Sequence, residues 1–165
     1  MCVFCNKCID VCPTGTLEIC GKDYTAYELL DITQKDTAFY GNTGGVTLSG
    51  GEPFLQAKDA LALLKLCKTN GIHTAVETCG YFSPDILKYA ISLTDLFLWD
   101  IKDTDSNRHK KYTGVSNERI IKNLFLADQS GANTRLRCIL VNNISKSKYS
   151  SQSSVFLIEL RGLSH

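Results

Sequence analysis

The sequence predicts an α/β fold built on a parallel sheet. Strand-like and helix-like patterns alternate along the chain, and four apolar runs are too short for helices and rich in residues that suit buried parallel strands. These runs are residues 45–49, 72–76, 96–99 and 135–141. Strands separated by helices imply right-handed crossovers, so the sheet is either open or curled into a barrel.

Helix start and stop signals separate the strand-like runs. Thr25 followed by Glu28 is a capping box that opens a helix near 26–35, and Ser83 before Pro84 is typical of an N-cap with proline at the first helical position. Two more helices are predicted from about residue 57 to 70 and from about 117 to 127. Their inward faces carry Ala60, Leu61, Leu64 and Cys67 in the first case and Ile120, Ile121 and Leu124 in the second.

Composition indicates one domain that binds neither nucleic acid nor membrane. The 165 residues are 44% hydrophobic, which is enough for a core. The 18 basic and 17 acidic side chains leave a formal charge of +1, so nothing favours a polyanion or an anionic membrane. No apolar run approaches the roughly 20 residues of a membrane span. We therefore expect a cytoplasmic chain.

Polar residues follow each strand-like run, at the edge where barrels place their working residues. The four segments are Gly50-Gly51-Glu52-Pro53, Glu77-Thr78-Cys79-Gly80, Asp100-Ile101-Lys102 and Asn142-Asn143. One such segment would be an ordinary solvated turn. Four segments that together supply carboxylates, a lysine, a hydroxyl and amides predict a ligand site.

The first twelve residues hold four cysteines, Cys2, Cys5, Cys8 and Cys12, followed by Pro13. This order matches the C-x2-C-x2-C-x3-C-P run of bacterial ferredoxins and predicts iron-sulfur ligation. Zinc is less favoured than an iron-sulfur cluster, because zinc usually takes two separated pairs of ligands and these four cysteines form one tight run. Disulfides are the third interpretation.

In two-cluster ferredoxins, the fourth cysteine of one run ligates the cluster that is otherwise held by the second run. This sequence has no second run, so the cluster expected for Cys12 is missing. Cys20 could complete a single cluster instead of Cys12, or it could be a small buried residue. Cys67 and Cys138 are expected in the core.

Several stretches in order resemble one family: the cysteine run, residues 24–56 with "VTLSGGEPFLQ", "VETCGY" at 76–81, "DIKDTDSNRHKKYTG" at 100–114 and "RCILVNN" at 137–143. Over roughly residues 2–145 the chain is similar to the glycyl-radical-enzyme activating proteins of the radical S-adenosylmethionine (SAM) superfamily, relatives of pyruvate formate-lyase activating enzyme. The resemblance implies a partial radical-SAM (β/α) barrel of about four βα units over residues 25–144, preceded by a partial ferredoxin-like 4Fe-4S segment at 1–24. A divergent or disordered tail is expected at 145–165.

The resemblance also implies a site for SAM. Main-chain carbonyls at Gly50 and Gly51 would approach its methionyl ammonium group, with Glu52 supporting that edge. Glu77 and Thr78 would lie beside the cofactor, and Asp100 with Lys102 would hold its carboxylate end. In the family, His109 and Lys110 lie in a loop near the cofactor or the partner; a solvated basic loop is the alternative, and His109 receives no proton-transfer role.

The implied reaction needs a reduced 4Fe-4S cluster, which injects one electron into SAM. The resulting 5′-deoxyadenosyl radical removes a hydrogen atom from a glycine of a partner, for example a pyruvate formate-lyase-like or diol dehydratase-like enzyme. A flavodoxin or ferredoxin would donate the electron, and Cys2, Cys5, Cys8 and Cys12 would hold a relay cluster.

The sequence departs from the family at one motif. The C-x3-C-x2-C triad that holds the SAM-cleaving cluster is absent from these residues, so no catalytic residue is identified. The resemblance then implies a truncated activating enzyme that is inactive alone. The alternatives are a non-enzymatic iron-sulfur electron carrier and one subunit of a split activating enzyme.

Overall fold

The computed structural model describes residues 5–19, 21–138 and 156–158. Cys2, Cys20, Asn142 and Asn143 lie outside these residues. The elements in chain order are α1 (Lys7–Asp10), α2 (Ala26–Lys35), α3 (Thr37–Tyr40), β1 (Gly45–Leu48), a 3-10 turn (Pro53–Gln56), α4 (Ala57–Thr69), β2 (His73–Thr78), α5 (Pro84–Ile91), β3 (Leu96–Ile101), α6 (Ser106–Thr113), α7 (Glu118–Gln129), β4 (Thr134–Cys138) and β5 (Phe156–Ile158).

A parallel sheet carries the fold. Strands β1 to β4 lie in sequence order with a helix between each neighbouring pair, which is the βα repeat of a partial barrel. The register places Leu48 of β1 opposite Val76 of β2, and Asp100 of β3 opposite Arg137 of β4. Strand β5, from the segment expected to form a tail, pairs antiparallel with β4.

The core lies between the sheet and the helices. Phe97, Trp99 and Ile101 are buried on one face of β3, where they pack with residues of α4, α5 and α7. The residues between them in sequence, Leu96, Leu98 and Asp100, are only half-buried. This alternation leaves the other face of the sheet available for polar side chains.

Helix boundaries agree closely with the sequence signals. Helix α2 begins after Thr25, whose side chain accepts from Glu28 N at 3.2 Å while Glu28 Oε2 accepts from Thr25 N at 2.8 Å. Helix α5 begins after Ser83 with Pro84 in its first turn. In α4 the fully buried positions include Leu63 as well as Ala60, Leu64 and Cys67, and Leu61 is only partly buried.

Two expectations need correction. Strands β2 and β3 each run two residues beyond the apolar pattern, so Glu77, Thr78 and Asp100 lie within strands and not after them. The segment of His109 and Lys110 is not a solvated loop but helix α6, with His109 buried. The physical reason is that Asp105 caps the helix and Gly114 ends it in a left-handed conformation.

Among the described helices, none combines the length and apolar character needed to cross a membrane.

Candidate functional site

Four charged side chains form one connected network at the carboxyl edge of the sheet. Arg137 on β4 donates to Glu77 Oε1 on β2 through Nη1 at 2.6 Å and to Asp100 Oδ1 on β3 through Nε at 2.8 Å. Lys102 Nζ donates to Asp100 Oδ2 at 3.1 Å, and Ser49 Oγ donates to Glu77 Oε2 at 2.5 Å. The network therefore joins all four parallel strands or the residues that follow them.

The network is balanced in charge and open to solvent. Two carboxylates face two cations, and the exposed fractions are 28% for Glu77, 22% for Asp100, 26% for Arg137 and 40% for Lys102. A ligand can therefore reach all four side chains. Paired charges of both signs match a ligand that carries both an ammonium and a carboxylate group.

Hydrogen bonds keep both carboxylates ionised. The bonds from Ser49 and Arg137 hold the pKa of Glu77 below its ordinary value. Burial alone would raise the pKa of Asp100, but the bonds from Arg137 and Lys102 outweigh it and lower the pKa. Asp100 and Glu77 in turn raise the pKa of Arg137, so the guanidinium stays charged.

The turn formed by Gly50 and Gly51 directly follows Ser49, which belongs to this network. Gly50 has φ +119°, a backbone conformation that L side chains rarely adopt. A Cβ added at Gly50 or Gly51 would meet no atom within 4 Å, so both residues border open space. The turn thus offers bare main chain beside the ionic network, and these residues fit a small polar ligand.

Glu52 ties this turn to the end of β2. Its Oε2 accepts from Thr78 Oγ1 at 2.8 Å, from Cys79 N at 3.0 Å and from Cys79 Sγ at 3.2 Å. Thr78 is 2% exposed, and its hydroxyl oxygen also accepts from Gly80 N at 2.9 Å. The structure therefore brings Thr78 to the site but directs its hydroxyl to protein partners.

Contacts with buried residues hold the loop after β2 in place. Gly80 has φ +77°, and an added Cβ would lie 2.3 Å from Cζ2 of the buried Trp99 ring. Asn123 of α7, also buried, donates from Nδ2 to Gly80 O and to Phe82 O, both at 2.9 Å. Only glycine fits at position 80, and the loop has little freedom to move.

The segment after β3 is held by its own contacts. Arg108 forms a two-point ion pair with Asp103, and Asn117 Nδ2 donates to Asp103 O at 3.0 Å and to Thr104 O at 2.9 Å. Nδ1 of the buried His109 lies 2.7 Å from Val115 O. His109 therefore stabilises α6 and its following turn, and none of its described contacts belongs to the ionic network.

The cysteine run is less organised. Cys5 and Cys8 are exposed, Cys12 is half-buried, and among the described residues no three His, Cys, Asp or Glu side chains are placed to hold a metal ion. Hydrogen bonds from Leu17 N and from the Thr14 and Thr16 hydroxyls lower the pKa of Cys12 to about 6. That thiol is thus inclined to ionise, but the described cysteines do not form a cluster site, and iron-sulfur ligation stays a prediction.

Sequence reasoning missed three residues of the site: Ser49, Arg137 and Asn123. Arg137 had a visible signal, because Arg135 and Arg137 alternate within an apolar strand pattern and so share one face of the sheet. Ser49 and Asn123 had no such signal, because their partners are distant in sequence. Ser49 is 28 residues from Glu77, and Asn123 is 43 residues from Gly80 and 41 residues from Phe82.

Comparison with known proteins identifies the family of this chain. The family model of the Radical SAM superfamily matches residues 1–148. The chain is 42% identical to choline trimethylamine-lyase activating enzyme of Oleidesulfovibrio alaskensis, over 90% of this chain and 58% of the relative. It is 40% identical to trans-4-hydroxy-L-proline dehydratase activating enzyme of Clostridioides difficile, over 87% of this chain and 58% of the relative. The chain thus covers little more than half of the length of these relatives.

Solved structures show the same fold. A domain of pyruvate-formate lyase-activating enzyme from Bacteroides vulgatus superposes with a TM-score of 0.59 and 31% identity, over 63% of this chain and 65% of that one. Streptococcus suis SuiB bound to precursor peptide SuiA superposes with a TM-score of 0.61 over 81% of this chain and 28% of that one, and its 19% identity indicates the fold alone.

Proposed function

Because the chain belongs to the radical SAM superfamily, we propose that it forms the SAM-binding part of an activating enzyme for a glycyl-radical enzyme. The observation that carries the proposal is the ionic network of Glu77, Arg137, Asp100 and Lys102 beside the Gly50–Gly51 turn. Its open position, balanced charge and bare main chain support a ligand with both an ammonium and a carboxylate group.

Each residue has a distinct role in this proposal. Carbonyl groups of Gly50 and Gly51 accept from the ligand ammonium group, and Glu52 fixes the turn that presents them. Lys102 pairs with the ligand carboxylate, while Asp100 orients the Lys102 side chain. Arg137 holds Glu77 and Asp100 apart and ionised, so both remain available as acceptors.

When bound and reduced by one electron, SAM supplies the radical chemistry that takes a hydrogen atom from a glycine. Among the described residues, the cysteines do not assemble a cluster site. The protein contributes by binding and orienting its ligand at the edge of the sheet.

The relatives support a proposal for the class of partner. The curated relatives are activating enzymes of glycyl-radical enzymes, and this supports a glycyl-radical enzyme as the partner of this chain. It also favours the activating function over a simple electron carrier. We further propose flavodoxin or ferredoxin as donor, and the cytoplasm as location, where thiols stay reduced.

Calorimetric titration of SAM into the chain tests the proposal. We expect measurable binding by the wild type and at least tenfold weaker binding by Lys102→Ala, because a charge-assisted contact contributes about 1.5–3 kcal/mol. Lys65→Ala, which changes an exposed lysine on α4, is the matched control and should bind as the wild type does. Absence of binding by the wild type, or equal affinity of the Lys102 and Lys65 variants, would reject the proposal.

A further inference from the structure

The two oxygens of the Glu52 carboxylate have unequal surroundings. Oε2 accepts three hydrogen bonds, from the Thr78 hydroxyl at 2.8 Å, the Cys79 amide at 3.0 Å and the Cys79 thiol at 3.2 Å. Oε1 accepts one long bond, from Phe54 N at 3.3 Å. Since an ionised carboxylate offers about four acceptor positions, the described donors crowd one oxygen and leave the other with spare capacity.

Protein partners occupy the Thr78 hydroxyl. Its single hydroxyl proton points to Glu52, and its oxygen accepts from Gly80 N at 2.9 Å. The residue is 2% exposed, so its side chain offers a ligand almost no surface. The hydroxyl is therefore committed to protein partners on both sides.

Cys79 supports the same oxygen from the next position along the chain. Burial, with a smaller contribution from Glu52, raises the pKa of its thiol, so the S–H proton stays in place and can be donated. Gly80 is held in place, because Trp99 lies against it and Asn123 donates to its carbonyl group. The donors to Oε2 are thus anchored to a rigid loop.

We propose that Thr78 and Cys79 are positioning residues that clamp Glu52 by its Oε2 atom, which fixes the Gly50–Gly51 turn and leaves Oε1 as the oxygen available to the ligand ammonium group. This inference rests on the proposed function, because it names residues that set the affinity for SAM without contacting it. It assigns Thr78 a different part from a direct contact with the cofactor.

A double-mutant cycle tests the clamp, with the dissociation constant of SAM as the measurement. We expect Thr78→Val to weaken binding about tenfold in the wild-type background and less than twofold in the Glu52→Ala background, because Thr78 acts through Glu52. Thr78→Ser keeps the hydroxyl and should bind within twofold of the wild type. Additive effects of Thr78→Val and Glu52→Ala would overturn the proposal.

Thr74→Val is the matched control. Thr74 is buried on the same strand, and its hydroxyl also contacts a carboxylate, Asp95 Oδ2 at 3.2 Å. Both valine variants should lower the unfolding midpoint, and only Thr78→Val should weaken SAM binding. Equal losses of affinity in the two variants would show that Thr78 acts through stability alone.

Amide hydrogen exchange separates the clamp from the proposed function. The Phe54 and Cys79 amides donate to Glu52, so Thr78→Val and Cys79→Ala should speed their exchange about tenfold, while Thr74→Val and Cys79→Ser should not. If the wild type fails to bind SAM, the proposed function fails and the exchange rates alone decide whether the clamp exists. Unchanged exchange at both amides in both Thr78→Val and Cys79→Ala would overturn it; Cys79→Ala serves as the test if Thr78→Val does not fold.

Discussion

The sheet edge and the cysteine segment carry the two parts of the predicted chemistry, and the chain organises them in different ways. At the sheet edge, side chains from β2, β3 and β4 and from Ser49, which follows β1, meet within hydrogen-bond distance above a core in which Trp99 and Phe97 are fully buried. Residues 5–19 contain a four-residue helix, and none of them is buried. The polypeptide alone therefore assembles the candidate ligand site, whereas the described cysteines are exposed or half-buried and form no comparable network.

Replacing a glycine of positive φ should give the largest difference in the free energy of unfolding between the two regions. Gly80→Ala places a Cβ 2.3 Å from the Trp99 ring at φ +77°, and we expect a loss of about 3 kcal/mol or more in the free energy of unfolding. Urea unfolding followed by tryptophan fluorescence measures it, since Trp99 is the chain's one tryptophan.

Gly15→Ala is the counterpart in the cysteine segment. Gly15 also has positive φ, +63°, but an added Cβ meets no atom within 4 Å. The strain is about 1–2 kcal/mol and is confined to an exposed segment, so unfolding of the sheet should not change. Equal losses in the two variants would mean that the segment and the sheet unfold as one unit.

Removing the central cation of the network should have the next largest effect. Arg137→Ala leaves two partly buried carboxylates, Glu77 and Asp100, without their shared donor, and we expect a loss of about 2 kcal/mol. Arg119→Ala is the control, because Arg119 is exposed and lies over the Tyr81 ring, 4.9 Å from its centroid. A cost below that of Arg119→Ala would contradict a structural role for the network.

The sequence predicted the repeating elements well because their signals are local. Capping at Thr25 and Ser83 and the apolar faces of α4 and α7 gave helix ends within about two residues of those observed. The ends of β2 and β3 were predicted too early, because Glu77 and Asp100 break the apolar pattern while their backbones continue to pair with neighbouring strands.

The site was predicted in part for a related reason. Motifs indicated Glu52, Glu77, Asp100 and Lys102, but the partner of a polar side chain depends on register between strands. Arg137 and Glu77 are 60 residues apart in sequence, and β3 lies between their strands in the sheet. No local sequence pattern specifies that contact. The use of Thr78 as a donor to Glu52 likewise follows from the folded loop and not from the motif.

Acid pH should weaken the network selectively. Because the pKa values of Glu77 and Asp100 are lower in the folded chain, their contribution is complete above their ordinary values of 4.5 and 3.8 and is lost as the pH falls through the folded values. Glu77→Gln should therefore reduce the dependence of stability on pH below about 4.5, by less than about 1 kcal/mol since the pair is partly exposed. Urea unfolding at neutral and acid pH measures how the free energy of unfolding depends on pH. The same pH dependence in Glu77→Gln and the wild type would contradict the assigned pairing. Glu18→Gln, in the exposed segment, is the control.

Loss of the cysteines should leave the free energy of unfolding of the metal-free chain unchanged. Cys5 and Cys8 are exposed and Cys12 is half-buried, and none of the three packs in a core cluster, so replacing all three with serine removes no core contact. We expect the wild type to take up iron during anaerobic reconstitution, measured as iron per chain, and the triple variant to lose that iron, because thiolates hold iron-sulfur clusters. Cys67→Ser, at a buried core position, should reverse the pattern by lowering stability and sparing iron. A triple variant that destabilises the sheet would show that the segment packs against it, and unchanged iron would remove these cysteines from the ligand set.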